Sequence, residues 1–519
     1  MLSETHVYEL DFPKEYRSMK QLGYFASVLS LVFMAACGGG GGPANPGTPN
    51  ANFSNATFKG NYVFTMEGQC VNACSTGYTI TSAGVMVADG NGNITGGEWD
   101  LNVGGVENEL TLTGTYGVNA DGTATATLNA GGGAASYVMM LTGTNGGYIV
   151  SNDTTWALSG VMQKQSSVVQ PSGNLVFRGA GQGPAGLSYA IAGAVNLGTG
   201  AVTADMNNNG SFISLGGGLA TITNPFDANG RGVVTIASTG TLPGMSFVVY
   251  AVDANSAEIV STDNFSMQGR AELSGGALTS GSILSGKFAF LSAGYPVEAV
   301  SATTDVGSTE GGIFTGDGAG SITGGTIDAV YDSTALPGSS LTASGTVSTA
   351  GGVTRDTIVT STGSATLPMK TASIWFVNAN RAFFVTTGSG RAEAGTMQSQ
   401  SGGPFSDNAT FGFYQTGWGI TSSGPVGLTS TTLFANSGGT VGGYTQSLNL
   451  GFSGPNVTTG NGTLSFDTAT GTLGSLTLNK TAIGGEDMRI YQYSSTQAFI
   501  MEVDPTVITS GTMTLQTPQ

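Results

Sequence analysis

The chain has 519 residues, 85 of them glycine, and only 9% are charged, against roughly 25% in an ordinary soluble domain. The formal net charge is −17 with 15 Lys and Arg in all, too few cations to build the basic face that nucleic-acid binding needs. The glycine content excludes coiled coils and helical bundles, and 39% hydrophobic residues argue against a disordered chain.

Residues 1–18 hold Glu4, Glu9, Asp11, Lys14, Glu15 and Arg17, an acidic balance at odds with the positive start of an export signal. They read as a misassigned extension ahead of a true start at Met19. Residues 19–36 read as a signal peptide, with Lys20 as the positive end and Leu22 to Ala36 as an apolar stretch too short to span a bilayer comfortably. Small residues Ala35 and Ala36 precede Cys37. The run MKQLGYFASVLSLVFMAAC resembles the lipobox of bacterial lipoproteins, with Met34 where that family usually has Leu. The resemblance implies lipidation of Cys37 and cleavage just before it. The mature chain would then hold no histidine, because the single one is His6. Gly38 stands after the cysteine in place of Asp, which in lipoproteins of double-membrane bacteria implies the outer membrane. Residues 37–57 read as the lipidated cysteine and a flexible Gly/Pro tether.

The rest divides into four diverged repeats of roughly 115 residues, at 58–165, 174–280, 283–400 and 405–519. Each carries a late pair of apolar runs split by a short polar turn: ASYVMMLTGTNGGYIVSND from Ala135, MSFVVYAVDANSAEIVSTD from Met245, ASIWFVNANRAFFVTTGSG from Ala372 and EDMRIYQYSSTQAFIMEVD from Glu486. Three repeats end alike, with SGVMQKQ, AGTMQSQ and SGTMTLQ. A fixed long period of this kind marks a repeat architecture.

Inside a repeat the hydrophobic period is two. Leu110, Leu112, Tyr116 and Val118 alternate with Thr111, Thr113, Thr115 and Gly117, the pattern of a strand with one buried face. Asp89-Gly90, Asn91-Gly92, Asp121-Gly122, Asn229-Gly230 and Asn461-Gly462 supply hairpin turns. About eight strands fall between 60 and 165. The predicted fold is therefore all-β, four tandem antiparallel meanders. Up-and-down barrels are preferred because closure removes exposed edges, with β-sandwiches as the alternative.

Candidate chemistry is sparse. Without histidine in the mature chain there is no Ser-His-Asp or Cys-His site and no His-ligated zinc. A carboxylate-only glycosidase needs two acids in one cleft. Glu98 and Asp100 share a strand face, and Asp328 and Asp332 lie in the matching stretch of the third repeat, but these read as solvated strand charge. Asp89, Asn91, Asn93 and Asp100 imitate a calcium loop with Ile94 where Gly is needed, so a plain turn is expected and no metal. Cys70 and Cys74 are expected to form a disulfide at a loop tip. The corresponding loops at 181–187 and 292–305 differ in sequence, as binding loops on one scaffold do.

The leading expectation is a non-enzymatic repeat lipoprotein without a cofactor, held to the outer membrane by its lipid. It would sit at the cell surface, with the periplasmic face as the alternative, and act in adhesion, envelope structure or capture of an envelope ligand. The competing readings are a carboxylate-only carbohydrate-active or carbohydrate-binding protein and a transmembrane β-barrel.

Overall fold

The computed structural model describes residues 52–517, apart from 71–78, 184–185, 240–242, 297–306, 332–333, 363–370, 389–390, 422–423, 451–454, 468–469 and 482. It contains four closed antiparallel barrels of eight strands each, spanning 59–164, 174–273, 285–399 and 409–515. In each, the first strand pairs with both the second and the eighth, as in Lys59–Cys70 with Thr79–Asp89 and with Trp156–Lys164. Barrels, not sandwiches, are the outcome. The helix content of the described residues is slight, chiefly a 3-10 turn at Asn55–Thr57.

Period-two alternation fills the barrel interiors. In strand Val106–Val118, Leu112 and Tyr116 are buried while Thr111, Thr113, Thr115 and Gly117 are exposed. The first interior is packed by Tyr62, Phe64, Met66, Trp99, Tyr137 and Leu158, the third by Phe288, Phe290, Phe314 and Phe384. An eight-stranded barrel is just wide enough for its side chains to fill it.

One glycine recurs where the first strand crosses the eighth. A Cβ added to Gly68, Gly181, Gly294 or Gly417 would stand 1.8, 2.0, 2.1 or 1.9 Å from the carbonyl oxygen of Ala157, Ser266, Ala392 or Ile508. Backbones this close exclude any side chain at that point of each barrel. Gly90, Gly122 and Gly230 sit in turns at positive φ, as expected. Asn461-Gly462 does not turn. It lies inside strand Pro455–Phe466, opposite Leu478, where Gly462 leaves room for the Thr477 carbonyl 2.1 Å from where a Cβ would be.

The barrels form a closed ring, not a line. The first meets the second through Val63, Val85, Val248 and Tyr250. The second meets the third through Val176, Ala192, Trp375 and Phe383. The third meets the fourth through Ala289, Ile313, Tyr491 and Phe499. The fourth returns to the first through Leu433, Met140 and Tyr148. Chain exits are equivalent too. Ser166, Gly275, Ser401 and Thr517 each donate a backbone N–H to the next barrel in or just past its sixth strand, at the carbonyls of Val252, Val377, Tyr493 and Thr142, over 2.7–2.8 Å. The last of these joins the end of the described chain to the first barrel.

Candidate functional site

The joints of the ring are built from one recurring set of positions. Asp100, Asp205 and Asp328 stand at matching places on the third strands of the first three barrels, opposite Ala83, Ala192 and Gly311. All three point outward from their barrels and are buried. Asp100 accepts from Arg231 of the second barrel through Nε at 2.8 Å and Nη2 at 2.7 Å, and from the Tyr250 hydroxyl. Asp205 accepts from Arg355 of the third barrel at 2.5 and 2.9 Å, from the Ser373 hydroxyl, and from Trp375 Nε1 at 2.9 Å. Asp328 accepts from the Tyr491 hydroxyl of the fourth barrel at 2.7 Å and has Arg489 at 3.8 Å. Burial alone raises the Asp328 carboxyl, and the Tyr491 hydroxyl is the main influence opposing that rise. At the fourth joint the acid position is Ser447, and the facing aromatic and arginine positions are Met140 and Thr123. Acid and donors are lost together there, leaving no unpaired buried charge.

An asparagine two residues after the acid locks each joint again. Asn102 Nδ2 donates to the carbonyls of Ser261 and Phe265, both at 2.8 Å. Asn207 does the same to Thr386 at 2.9 Å and Arg391 at 2.8 Å. Asn449 reaches the first barrel at Ser151 and Trp156, both at 3.1 Å. In the third barrel this position is Val330. The loop it faces in the fourth barrel carries Glu502 where the others have Ser151, Ser261 and Thr386, and Glu502 accepts the Asp487 N–H at 2.8 Å.

The sequence-identified acids thus have a structural use. Asp100 and Asp328 are not solvated strand charge, because the face they occupy is covered by the neighbouring barrel. Glu98 also faces that barrel, at its Asp227–Asn229 turn. Asp332 lies outside the described residues. Asp89 turns its carboxylate onto the backbone N–H groups of Asn91 at 2.6 Å and Asn93 at 3.0 Å, while Asp100 stays with Arg231. These residues therefore do not converge on a calcium site. Among the described residues there is no group of three or more His, Cys, Asp or Glu side chains arranged to hold a metal ion. Cys70 is disulfide-bonded; Cys37 and Cys74 lie outside the described residues.

A cavity of about 580 Å³ lies at the axis of the ring and is lined from all four barrels, by the outer faces of their first and eighth strands, by the seventh strands of the last three barrels and by Ser308 and Thr309 of the third barrel's second strand. Its size falls in the usual range for a small-molecule site. On one wall, Glu258, Arg270, Glu272 and Arg381 form a continuous chain of charges. Arg270 pairs with Glu258 and, at 2.6 Å, with Glu272. Arg381 grips both oxygens of Glu272 at 2.6 and 2.8 Å. Gln163 and Gln398 cap its two ends, at 2.8 Å from Glu258 and 3.0 Å from Arg381. Burial pushes the Glu272 carboxyl up, but Arg381 and Arg270 hold it below the usual range.

Two charges on the cavity stay outside this chain. Arg178, which alternation along strand Asn174–Gln182 turns away from its barrel core, has a buried Nε without a hydrogen-bond partner. Its guanidinium lies 5.7 Å from the Phe383 ring, which Arg381 approaches from 5.5 Å. Glu67 of the first barrel faces the same space, and burial raises its carboxyl against the pull of Arg178. Tyr295 of the third barrel and Tyr414 of the fourth complete this part of the wall. Sequence reading missed this site. The signal was a single outward strand position occupied by Thr65, Arg178, Leu291 and Tyr414 in the four repeats, which becomes one site only when the ring brings the copies together.

No protein-family model and no curated protein matches the chain. Among solved structures, it is similar to intact Ap-TbpB with its N and C lobes, at 8% identity over 72% of this chain and 84% of that one, TM-score 0.20. It is also similar to Transferrin Binding Protein B from Haemophilus parasuis Hp5, at 10% identity over 72% and 83%, TM-score 0.21. Likeness at this level identifies neither a family nor a site.

Proposed function

We propose that this chain is a lipid-anchored, non-enzymatic protein of the bacterial envelope, displayed at the cell surface, whose four-barrel ring captures a small ligand at its axis. The observation that carries the reading is the axial cavity, where all four barrels contribute side chains, the buried Nε of Arg178 has no hydrogen-bond partner and the carboxylate of Glu67 faces the same space. A reading without catalysis is supported by the use of the other acids. Asp100, Asp205 and Asp328 are committed to joints, and Glu258 and Glu272 to ion pairs. A body standing in water is supported by its outer faces. Strand Thr123–Ala130 presents Thr125, Thr127 and Asn129 outward, unlike the apolar band of a membrane-spanning barrel. Anchoring rests on the lipobox-like run ending at Cys37.

The test is made in cells. Labelled palmitate should enter the wild-type chain and not Cys37→Ser. A nonspecific protease applied to intact cells should release peptides from 58–519; trypsin is unsuited because Lys and Arg are so few. Release only after permeabilisation would overturn surface display, and labelling of the serine variant would overturn the anchor.

A further inference from the structure

The unpaired groups at the axis also define what would fit. The cavity holds three guanidiniums, and two of them, Arg270 and Arg381, are neutralised by Glu258 and Glu272. Arg178 has Tyr414, Glu67 and Glu258 as attracting neighbours and Arg381 as a repelling one, but no hydrogen-bonding partner for its Nε. A buried donor left unmet carries a desolvation penalty, larger when charged, and an anion is the group that removes it. Carboxylate is the natural match, since guanidinium binds it through two parallel hydrogen bonds. Facing the same space, Glu67 is a carboxylate with no ion-pair partner, and burial pushes its carboxyl above the ordinary range. What relieves it is a cation. Arg178 and Glu67 feel one another's field without forming an ion pair, so a ligand carrying both charges can lie between them.

We infer that the axial cavity binds a small zwitterion with free amino and carboxyl groups, a short peptide of two to four residues, with its carboxylate on Arg178 and its ammonium at Glu67. The volume of about 580 Å³ is more than one amino acid fills. Trp418, Tyr493 and Phe499 on the wall offer apolar surface for side chains between the termini. This inference rests on the ligand-capture reading but not on the location of the protein.

The experiment is equilibrium dialysis of the detergent-purified full chain against a pooled library of free tripeptides, with mass spectrometry of what is retained. The same pool is also run N-acetylated and C-amidated. The expected result is retention of free tripeptides at least tenfold above either capped pool. Arg178→Gln should abolish the preference over the amidated pool, and Glu67→Gln the preference over the acetylated pool. Both variants should keep the wild-type circular dichroism spectrum, since neither side chain makes a hydrogen bond or ion pair across a joint, and Gln at 178 keeps part of the chain lying over Phe383. Equal retention of free and capped pools, or no retention at millimolar peptide, would overturn the inference. Retention by a chain that cell shaving places in the periplasm would leave it standing and remove only the surface reading.

Discussion

Arg231 in the second barrel closes a two-pronged ion pair on Asp100 in the first, 131 residues away in sequence, with both side chains shielded from solvent. Removing Asp100 leaves Arg231 only the more exposed Glu109 at 3.1 Å and Glu107 at 3.6 Å. Asp100→Asn is expected to cost about 2–4 kcal/mol, seen as a lower urea midpoint. The triple variant Asp100→Ser, Arg231→Thr, Tyr250→Met copies the residues of the fourth joint and should be less destabilised than the single one. A triple variant weaker than Asp100→Asn would show that the ion pair itself stabilises the joint.

Asn449 closes the ring from the fourth barrel to the first through the carbonyls of Ser151, Asp153 and Trp156. Asn449→Ala should cost about 1–3 kcal/mol. Amide exchange should quicken around 151–156, far along the chain from the mutation. Unchanged exchange there would mean that the closing joint does not depend on this side chain.

Crossing glycines should tolerate nothing larger. Gly181→Ala and Gly294→Ala place a methyl within 2.1 Å of a backbone oxygen and should lower stability by about 2–4 kcal/mol or prevent folding. Gly324→Ala, with open space around its would-be Cβ, is the control and should shift it by less than about 1 kcal/mol. Thermal melts of the three variants decide this.

Asp356 is buried in the third barrel, and burial outweighs the backbone N–H groups of Thr346 and Thr357 and raises its carboxyl to about 6. The folded form therefore holds its proton where the unfolded chain has lost it. The contribution is fully favourable below about pH 4 and is lost as the pH rises through about 6. Asp356→Asn should be the more stable protein at pH 7.5, by at most about 3 kcal/mol, with the gap closing at pH 4. A constant difference across that range would show that the carboxyl does not titrate as described.

The barrels were legible in the sequence because lumen packing imposes period two, visible at Leu112 and Tyr116 against Thr111, Thr113 and Thr115. The ring was not. Alternation tells the inside of a barrel from its outside, and Asp100 lies on the outside whether water or another barrel covers it. A clue lay in runs such as FVVYAV at 247–252 and SIWFV at 373–377, too continuously apolar for a strand wetted on one face. Both supply joint residues, Tyr250 and Trp375. Repeat endings carried a second clue. Their final Gln165 and Gln516 reach into the next barrel to the carbonyls of Ala251 and Leu141, at 2.7 and 3.0 Å. Arg178 and Tyr414 showed only as different residues at one outward position of the repeat, and Glu67 gave no signal, since what distinguishes them is the company of the other repeats.

Ring closure also bears on how such a protein can change over evolutionary time. An open array of repeats can lengthen or shorten by whole units, because each unit touches only its neighbours and the ends are free. Here the joint from Thr517 to Thr142 uses up both ends. Duplicating or deleting one barrel would leave a gap or a clash at that seam and would dismantle the axial chamber. Copy number is therefore locked at four, and divergence is left to proceed position by position, as the exchange of acid, aromatic and arginine for Ser447, Met140 and Thr123 illustrates.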